Sequence, residues 1–143
     1  MGHEFLADES VLAFDLETTG ISTNDDRIVQ IALIGSNSNG DAVHYETMIN
    51  PRRPIPSGAS NVHGIFDSDV KSLPDFSHHA DEIHELIENS VIVGHNVRRF
   101  DMPLLDNEFR RIGRLPPKPK AMMDTLEIVR RVKVGRPHNL SSL

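Results

Sequence analysis

The first third of the chain consists of short apolar runs separated by polar turns. The runs at residues 11–14 and 27–35 are mostly apolar, which predicts two buried strands. Ser, Asn and Gly cluster at residues 36–41 and predict a turn, and the alternation at residues 42–50 predicts a third strand. Consecutive strands joined by short turns favour an antiparallel meander.

The rest of the chain alternates helical periodicity with one short apolar run. Residues 91–94 are Val-Ile-Val-Gly and predict a central strand. The predicted helical segments are residues 60–64, 67–71, 75–89, 100–112 and 125–132, with the start of another at 138–143. This order predicts an α/β fold, in which a mixed sheet combines a three-strand antiparallel meander with parallel strands and is flanked by helices. We expect one domain over residues 1–143.

Composition excludes several classes of protein. The chain has 143 residues with 38% hydrophobic content, which is enough for one core. It contains no Cys, which excludes disulfides and thiolate metal sites. No apolar run approaches the roughly 20 residues of a membrane span, and the first residues lack a secretory pattern. We therefore expect a cytoplasmic protein with no membrane partner.

The charge is distributed unevenly along the chain. The net charge is −6, but residues 1–97 hold 4 Lys or Arg against 16 Asp or Glu, whereas residues 98–143 hold 11 against 5. A basic C-terminal third on an acidic protein can face phosphate groups. A solvated basic helix face explains the same charges equally well.

Two carboxylates follow the first apolar run. Asp15 and Glu17 lie two positions apart at the end of a predicted strand, so their side chains point to the same face. Adjacent carboxylates repel each other unless a proton or a cation lies between them. Because all the donors are oxygen, Mg²⁺ or Mn²⁺ is favoured over zinc.

A third acid follows the predicted central strand. That strand ends at Gly94, and Asp101 lies in the first turn of the next predicted helix. An acid there is favoured by the helix dipole, so Asp101 can also be a simple helix-capping residue. If the two strand ends lie side by side in the sheet, however, Asp15, Glu17 and Asp101 come together.

Four segments in order resemble one known family. Residues 15–20, Asp-Leu-Glu-Thr-Thr-Gly, resemble the first motif of the DEDD (DEDDh-type) 3′→5′ exonucleases, a ribonuclease H-like group that includes the epsilon subunit of DNA polymerase III and the three-prime repair exonucleases. Residues 61–65 resemble the group's His-Gly-Ile turn, and residues 95–105 its second motif. Residues 124–126, Asp-Thr-Leu, resemble a segment downstream of it. Three residues separate Asn96 from Phe100, as is more typical of the three-prime repair exonucleases.

The resemblance implies an enzyme, a metal-dependent 3′→5′ exonuclease of the proofreading or repair type. Asp15, Glu17 and Asp101 would be its catalytic residues and three of four metal ligands, and a complete site would hold two Mg²⁺ or Mn²⁺ ions. The implied substrate is the 3′ end of single-stranded DNA or RNA, and a DNA polymerase or helicase is an implied partner. The residues implied to border the substrate are Leu16, Thr18, Thr19, His63, Gly64, Ile65, Asn96 and Phe100.

The family's third motif has no match. It is a His followed five residues later by Asp, and it comes after a helix start that residues 139–143 resemble. His138 precedes that helix start, and no acid follows it. We therefore expect a domain that lacks its last helix and is truncated at its C-terminus, with activity lowered by roughly the 10²–10⁴ that a general base contributes.

Three alternatives remain. An exonuclease-like module that binds nucleic acid or a polymerase without cutting would also fit an incomplete site. A haloacid-dehalogenase phosphatase has a similar first strand, but its second acid is Asp where this chain has Glu17. His78, His79 and His84 lie among acids on one predicted helix, where a surface face is commoner than a zinc site, since zincin spacing is absent.

Overall fold

A five-stranded mixed sheet organises the protein. The computed structural model describes residues 8–127. The strands are β1 (Val11–Thr18), β2 (Ile28–Ser36), β3 (Ala42–Met48), β4 (Val91–Gly94) and β5 (Ala121–Asp124). Their order is β3-β2-β1-β4-β5, with antiparallel pairing from β1 to β3 and parallel pairing of β1 with β4 and of β4 with β5. The predicted fold class, a meander joined to parallel strands and flanked by helices, is confirmed.

Within residues 8–124, four α-helices and one wider turn accompany the sheet. They are α1 (Ser57–His63), α2 (Asp67–Val70), α3 (Phe76–Ile87) and α4 (Met102–Arg111), with a π-helical turn at Val97–Asp101 immediately before α4. Pro103 lies in the first turn of α4, where a missing N–H costs nothing. No helix among the described residues is long and apolar enough to cross a bilayer.

The core forms where α3 and α4 cover one face of the sheet. Alternate residues of β1, namely Leu12, Phe14 and Leu16, are buried against the helices. Phe76 and Phe109 meet edge to face with ring centroids 5.0 Å apart, which fixes α3 against α4. A second, smaller cluster under α1 and α2 contains Val29, Ile55, Ile65 and Val70.

Several element boundaries differ from the sequence-based prediction. Strand β1 continues through the acids to Thr18, because β2 supplies a hydrogen-bonded partner along that whole length. Ile112, the last residue of the predicted helix at 100–112, instead follows the end of α4 and is 37% exposed. Strand β5 had no predicted counterpart. The predicted helix at 125–132 is described only as helical at 125–127, and the one starting at 138 lies outside the described residues.

Candidate metal and substrate site

Asp15 and Glu17 lie on the sheet face opposite the helical core. In β1, buried Leu16 separates them, and they pair across with Ala32 and Gln30 of β2. The register between β1 and β2 shifts immediately after Glu17, which is a bulge of the kind that often lies beside a functional site. The sequence-based prediction that both acids share one face is confirmed.

Asp101 reaches the same edge of the sheet from the neighbouring strand. Strand β4 runs parallel to β1, so both carboxyl ends lie at one edge, and the π-helical turn then carries the chain to Asp101. The approach is close: a Cβ on Gly94 would lie 2.8 Å from the carbonyl oxygen of Phe14. Only glycine fits between the two strands there. Asp101 is 5% exposed.

The environment of Asp101 favours its protonated form. Burial first, and then the charges of Asp15, Asp124 and Glu17 in that order, raise the pKa of Asp101 to about 7. Asp101 therefore lies near both acids of β1. Such crowding of all-oxygen donors fits a divalent cation, which would relieve the repulsion.

The three acids do not surround a single metal position. Among the residues that the structure describes, no group of three acidic, His or Cys side chains is arranged to hold a metal ion. The three acids predicted as ligands thus share one edge and interact electrostatically, but they are not drawn together around one position.

An apolar cleft of about 380 Å³ opens beside Glu17. Five of the eight residues predicted to border a substrate line it, and they are Leu16, Thr18, Thr19, His63 and Phe100. The other three lie elsewhere. Gly64 ends α1 with φ 76°, Ile65 is buried in the second cluster, and Asn96 faces Asp124 through its backbone. An apolar cleft next to acids suits the flat face of a nucleobase.

His63 holds the cleft together. Its Nδ1 accepts a hydrogen bond from the Ile65 amide at 3.1 Å, so Nε2 carries the proton and donates to the carbonyl oxygen of Thr18 at 3.0 Å. This link joins the end of α1 to the end of β1. His63 therefore positions one wall of the cleft through its two ring nitrogens.

Ile21 and Val62 are cleft residues that the sequence reasoning missed. They lie on the cleft and are 91% and 86% exposed, which is unusual for large apolar side chains. An apolar residue directly after the Gly20 turn was the available signal. The turn is braced by Asp26, which accepts hydrogen bonds from the Thr19 hydroxyl at 2.7 Å and the Ser22 amide at 2.8 Å.

Asp124 is a further residue whose place at this edge the sequence reasoning missed. Its position directly before the predicted helix at 125–132 favours a helix cap, and its Oδ1 does accept the Leu126 amide at 3.0 Å. The same carboxylate also accepts amides of the turn that leads to Asp101. Burial raises the pKa of Asp124, but backbone amides, beginning with those of Arg98 and Asn96, outweigh it and hold the pKa below its ordinary value.

Three arginines of the basic C-terminal third bind the protein itself. Arg98 donates to the carbonyl oxygen of Met122, and Arg110 to the side chain of Asn107. Arg111 pairs with Glu108 and donates to the carbonyl oxygen of Asn24. Their contacts thus indicate structural roles.

The histidine-rich face of α3 has its own partners. His79 Nδ1 lies 2.9 Å from the hydroxyl of Tyr45, and burial followed by the charge of His78 lowers the pKa of His79. His84 and Glu88 are 3.9 Å apart. These contacts match the predicted surface face better than a zinc site.

Comparison with known proteins identifies relatives over nearly the whole chain. The family model described as exonuclease (RNase T) matches residues 12–143. The PolC-type DNA polymerase III of Bacillus subtilis (strain 168) is 29% identical over 128 residues, which are 90% of this chain and 9% of that protein. A DNA polymerase III subunit epsilon-like protein of Rhodobacter capsulatus is 36% identical over 108 residues, 72% of this chain and 15% of that protein. The chain thus spans a small part of these relatives.

Solved structures share the fold. A structure of exonuclease I has a TM-score of 0.76 and 25% identity, covering 90% of this chain and 31% of that one. The structure of E. coli exonuclease I in complex with a 5cy-dA13 oligonucleotide matches with the same TM-score, identity and coverage. The family match rejects the phosphatase alternative.

Proposed function

Since this chain belongs to the exonuclease family, we propose that it hydrolyses phosphodiester bonds at the 3′ ends of single-stranded nucleic acid. One observation carries the proposal: buried Asp101 faces Asp15 and Glu17 where two parallel strands end, beside an apolar cleft. We propose these three acids as the ligands of Mg²⁺ or Mn²⁺. When bound, such ions polarise the phosphate and supply a nucleophile at neutral pH.

The residues of the cleft would hold the terminal nucleotide. Leu16, Ile21 and Val62 offer apolar surface to a base, because every base has a face that stacks on apolar or aromatic side chains. Phe100 lines the same cleft and immediately precedes Asp101. A base held there would bring its phosphate toward the acids at the edge of the sheet.

The relatives suggest where such a domain works. PolC-type polymerases and an epsilon-like subunit share the domain, and structures of E. coli exonuclease I include complexes with an oligonucleotide and with single-stranded DNA. We propose a single strand as substrate and a DNA polymerase or helicase as partner. The ions would also explain how an acidic edge accepts a polyanion, since they reverse its local charge.

A labelled oligonucleotide tests the activity and its direction. Incubation of a 5′-labelled single strand with Mn²⁺ should give a ladder of products shortened from the 3′ end. Asp101→Asn should lower the rate by at least about a hundredfold, the scale of losing one group that stabilises transition-state charge. Asp106→Asn is the matched control, because it removes one carboxylate from α4 outside the proposed ligand set.

Three other results of the oligonucleotide assay would contradict the proposal. A ladder that Asp101→Asn leaves unchanged would place the chemistry elsewhere. Binding of the oligonucleotide without any ladder, with Mn²⁺ bound, would favour the non-catalytic nucleic-acid-binding module instead. Immediate release of the label of the 5′-labelled strand as a mononucleotide, without a ladder, would show cleavage from the 5′ end and overturn the proposed direction.

A further inference from the structure

We infer that Asp124 is a positioning residue, which holds the turn that carries Asp101 by accepting backbone hydrogen bonds, and that it is not itself a metal ligand. The inference rests on the proposed function, because the position of Asp101 matters only if Asp101 acts in the site. Asp124 is the last residue of β5 and lies opposite Gly94 of β4, so it stands at the edge of the sheet where the acids gather.

Both oxygens of the Asp124 carboxylate are already engaged. Oδ1 accepts the Asn96 amide at 2.9 Å and the Leu126 amide at 3.0 Å. Oδ2 accepts the Arg98 amide at 3.2 Å. The residue is 4% exposed. A carboxylate that is buried and hydrogen-bonded at both oxygens has its acceptor sites directed at the backbone rather than at a cation.

The turn needs such an acceptor. The first amides of any helical segment have no carbonyl partner inside it, and only two residues lie between the end of β4 and the turn at Val97–Asp101. Asn96 stands before the turn with φ 58°, in the left-handed region that costs energy for any residue with a side chain. Asp124 binds the amides on both sides of Val97, which fixes this conformation.

The spacing of the second motif explains why the turn is wide. Three residues separate Asn96 from Phe100, and the chain accommodates them as a π-helical turn, the form that an extra residue in a helix commonly takes near functional sites. Asp101 is the last residue of that turn and the cap of α4. A shift of the Asn96 or Arg98 amide would therefore be passed along the turn to the carboxylate of Asp101.

Two substitutions at position 124 distinguish a positioning role from a metal-ligand role for Asp124. Asp124→Asn keeps a carbonyl oxygen that can accept the Asn96 and Leu126 amides, and it loses mainly the bond to Arg98. Asp124→Ala loses all three bonds. If Asp124 positions the turn, Asn should substitute for Asp in large part and Ala should not. If Asp124 is a ligand, Asn should fail as Asp101→Asn does, because an amide oxygen carries no charge.

Amide hydrogen exchange in the 143-residue chain gives the first measurement. In Asp124→Ala, the Asn96 and Arg98 amides should exchange at least about tenfold faster than in the unsubstituted protein, the scale of one lost hydrogen bond. In Asp124→Asn, the Asn96 amide should stay within about threefold and only the Arg98 amide should exchange faster. Unchanged exchange at both amides in Asp124→Ala would overturn the inference. If Asp124→Ala does not fold, the Arg98 amide in Asp124→Asn decides alone.

Calorimetry with Mn²⁺ gives the second measurement. Affinity should fall about tenfold in Asp124→Ala and stay within about threefold in Asp124→Asn, with Asp106→Asn as the charge-matched control. Loss of binding in Asp124→Asn equal to that in Asp101→Asn would overturn the inference and make Asp124 a ligand. Unchanged affinity in Asp15→Asn and Asp101→Asn would instead refute the proposed function, and the exchange measurement would still decide the role of Asp124.

Discussion

Asp101 and Glu108 are two equally buried carboxylates on one helical stretch, and they differ in what surrounds them. Each is 5% exposed. Glu108 accepts the Ile28 amide at 2.9 Å through Oε2 and pairs with Arg111 at 3.1 Å through Oε1. The neighbours of Asp101 are other acids, Asp15 first among them.

The comparison shows that burial alone does not identify a functional acid. Burial raises the pKa of both carboxyls, but at Glu108 the Ile28 amide and then Arg111 and Arg27 oppose it, whereas at Asp101 every neighbouring charge adds to it. Glu108 therefore joins α4 to the start of β2. Asp101 lies among like charges whose repulsion a cation or a proton would relieve, which supports its proposed role as a metal ligand.

The largest expected effect is the pH dependence of stability in the metal-free protein. The pKa of Asp101 is raised from 3.8 to about 7, so between these values the folded state binds a proton that the unfolded state has released. Stability should therefore fall as pH rises from 4 to 7, by up to about 4 kcal/mol from this group. Urea unfolding at several pH values in chelator measures it.

Asp101→Asn provides the control for that measurement. An amide does not titrate, so the variant should lose this part of the slope and be more stable than the unsubstituted protein at pH 7. A slope equal in both proteins would mean that another group causes it, and the contrast with Glu108 would fail.

The next largest effect is the loss of stability when the Glu108 carboxylate is removed. Glu108→Ala should destabilise the protein by about 3 kcal/mol, because it leaves the Ile28 amide and the partly buried Arg111 without their partner. Urea unfolding measures the loss. Glu85→Ala on the exposed face of α3 is the control and should stay within about 0.5 kcal/mol. A small loss in Glu108→Ala would deny its structural role.

Mn²⁺ should distinguish the two acids directly. At a free concentration 100 times the dissociation constant, a bound ion stabilises the folded state by about 2.7 kcal/mol. This gain should appear as a higher melting temperature in the unsubstituted protein and in Glu108→Gln, and it should vanish in Asp101→Asn. Equal gains in both variants would place the ion away from Asp101.

The smallest effect concerns Asp26, whose partners are neutral. Its Oδ1 accepts the Thr19 hydroxyl, and that hydroxyl oxygen accepts the Arg27 amide at 3.0 Å. Thr19→Val removes both bonds and should cost about 1–2 kcal/mol in thermal unfolding. Thr47→Val is the control, since that hydroxyl donates only to the adjacent Met48 carbonyl at 3.2 Å. Equal losses in the two variants would show that the Asp26 network adds nothing.

The local pattern of apolar and polar residues was sufficient to predict the elements with a clear periodicity. The meander and the apolar stripe of α3 follow from periodicity, because burying one face of a strand or helix requires it. The positions of Asp15 and Glu17 on one face follow from the same rule. Their proximity to Asp101 follows from the expectation that two neighbouring parallel strands end at one edge of the sheet. Five of the predicted substrate residues lie on one cleft, and their roles remain a proposal.

Tertiary contacts decided the rest. Strand β5 has four residues of which only Asp124 is buried, so its pairing with β4, rather than its own pattern, makes it a strand. The same pairing brings the Asp124 carboxylate to the Asn96 and Arg98 amides, far away in sequence. The sequence by itself determined which residues are acids and which strands carry them, because alternation is a local property. Only the folded structure decided that Glu108 meets the Ile28 amide and that Asp101 meets the acids of β1, because these partners come from chain segments that sequence order does not place together.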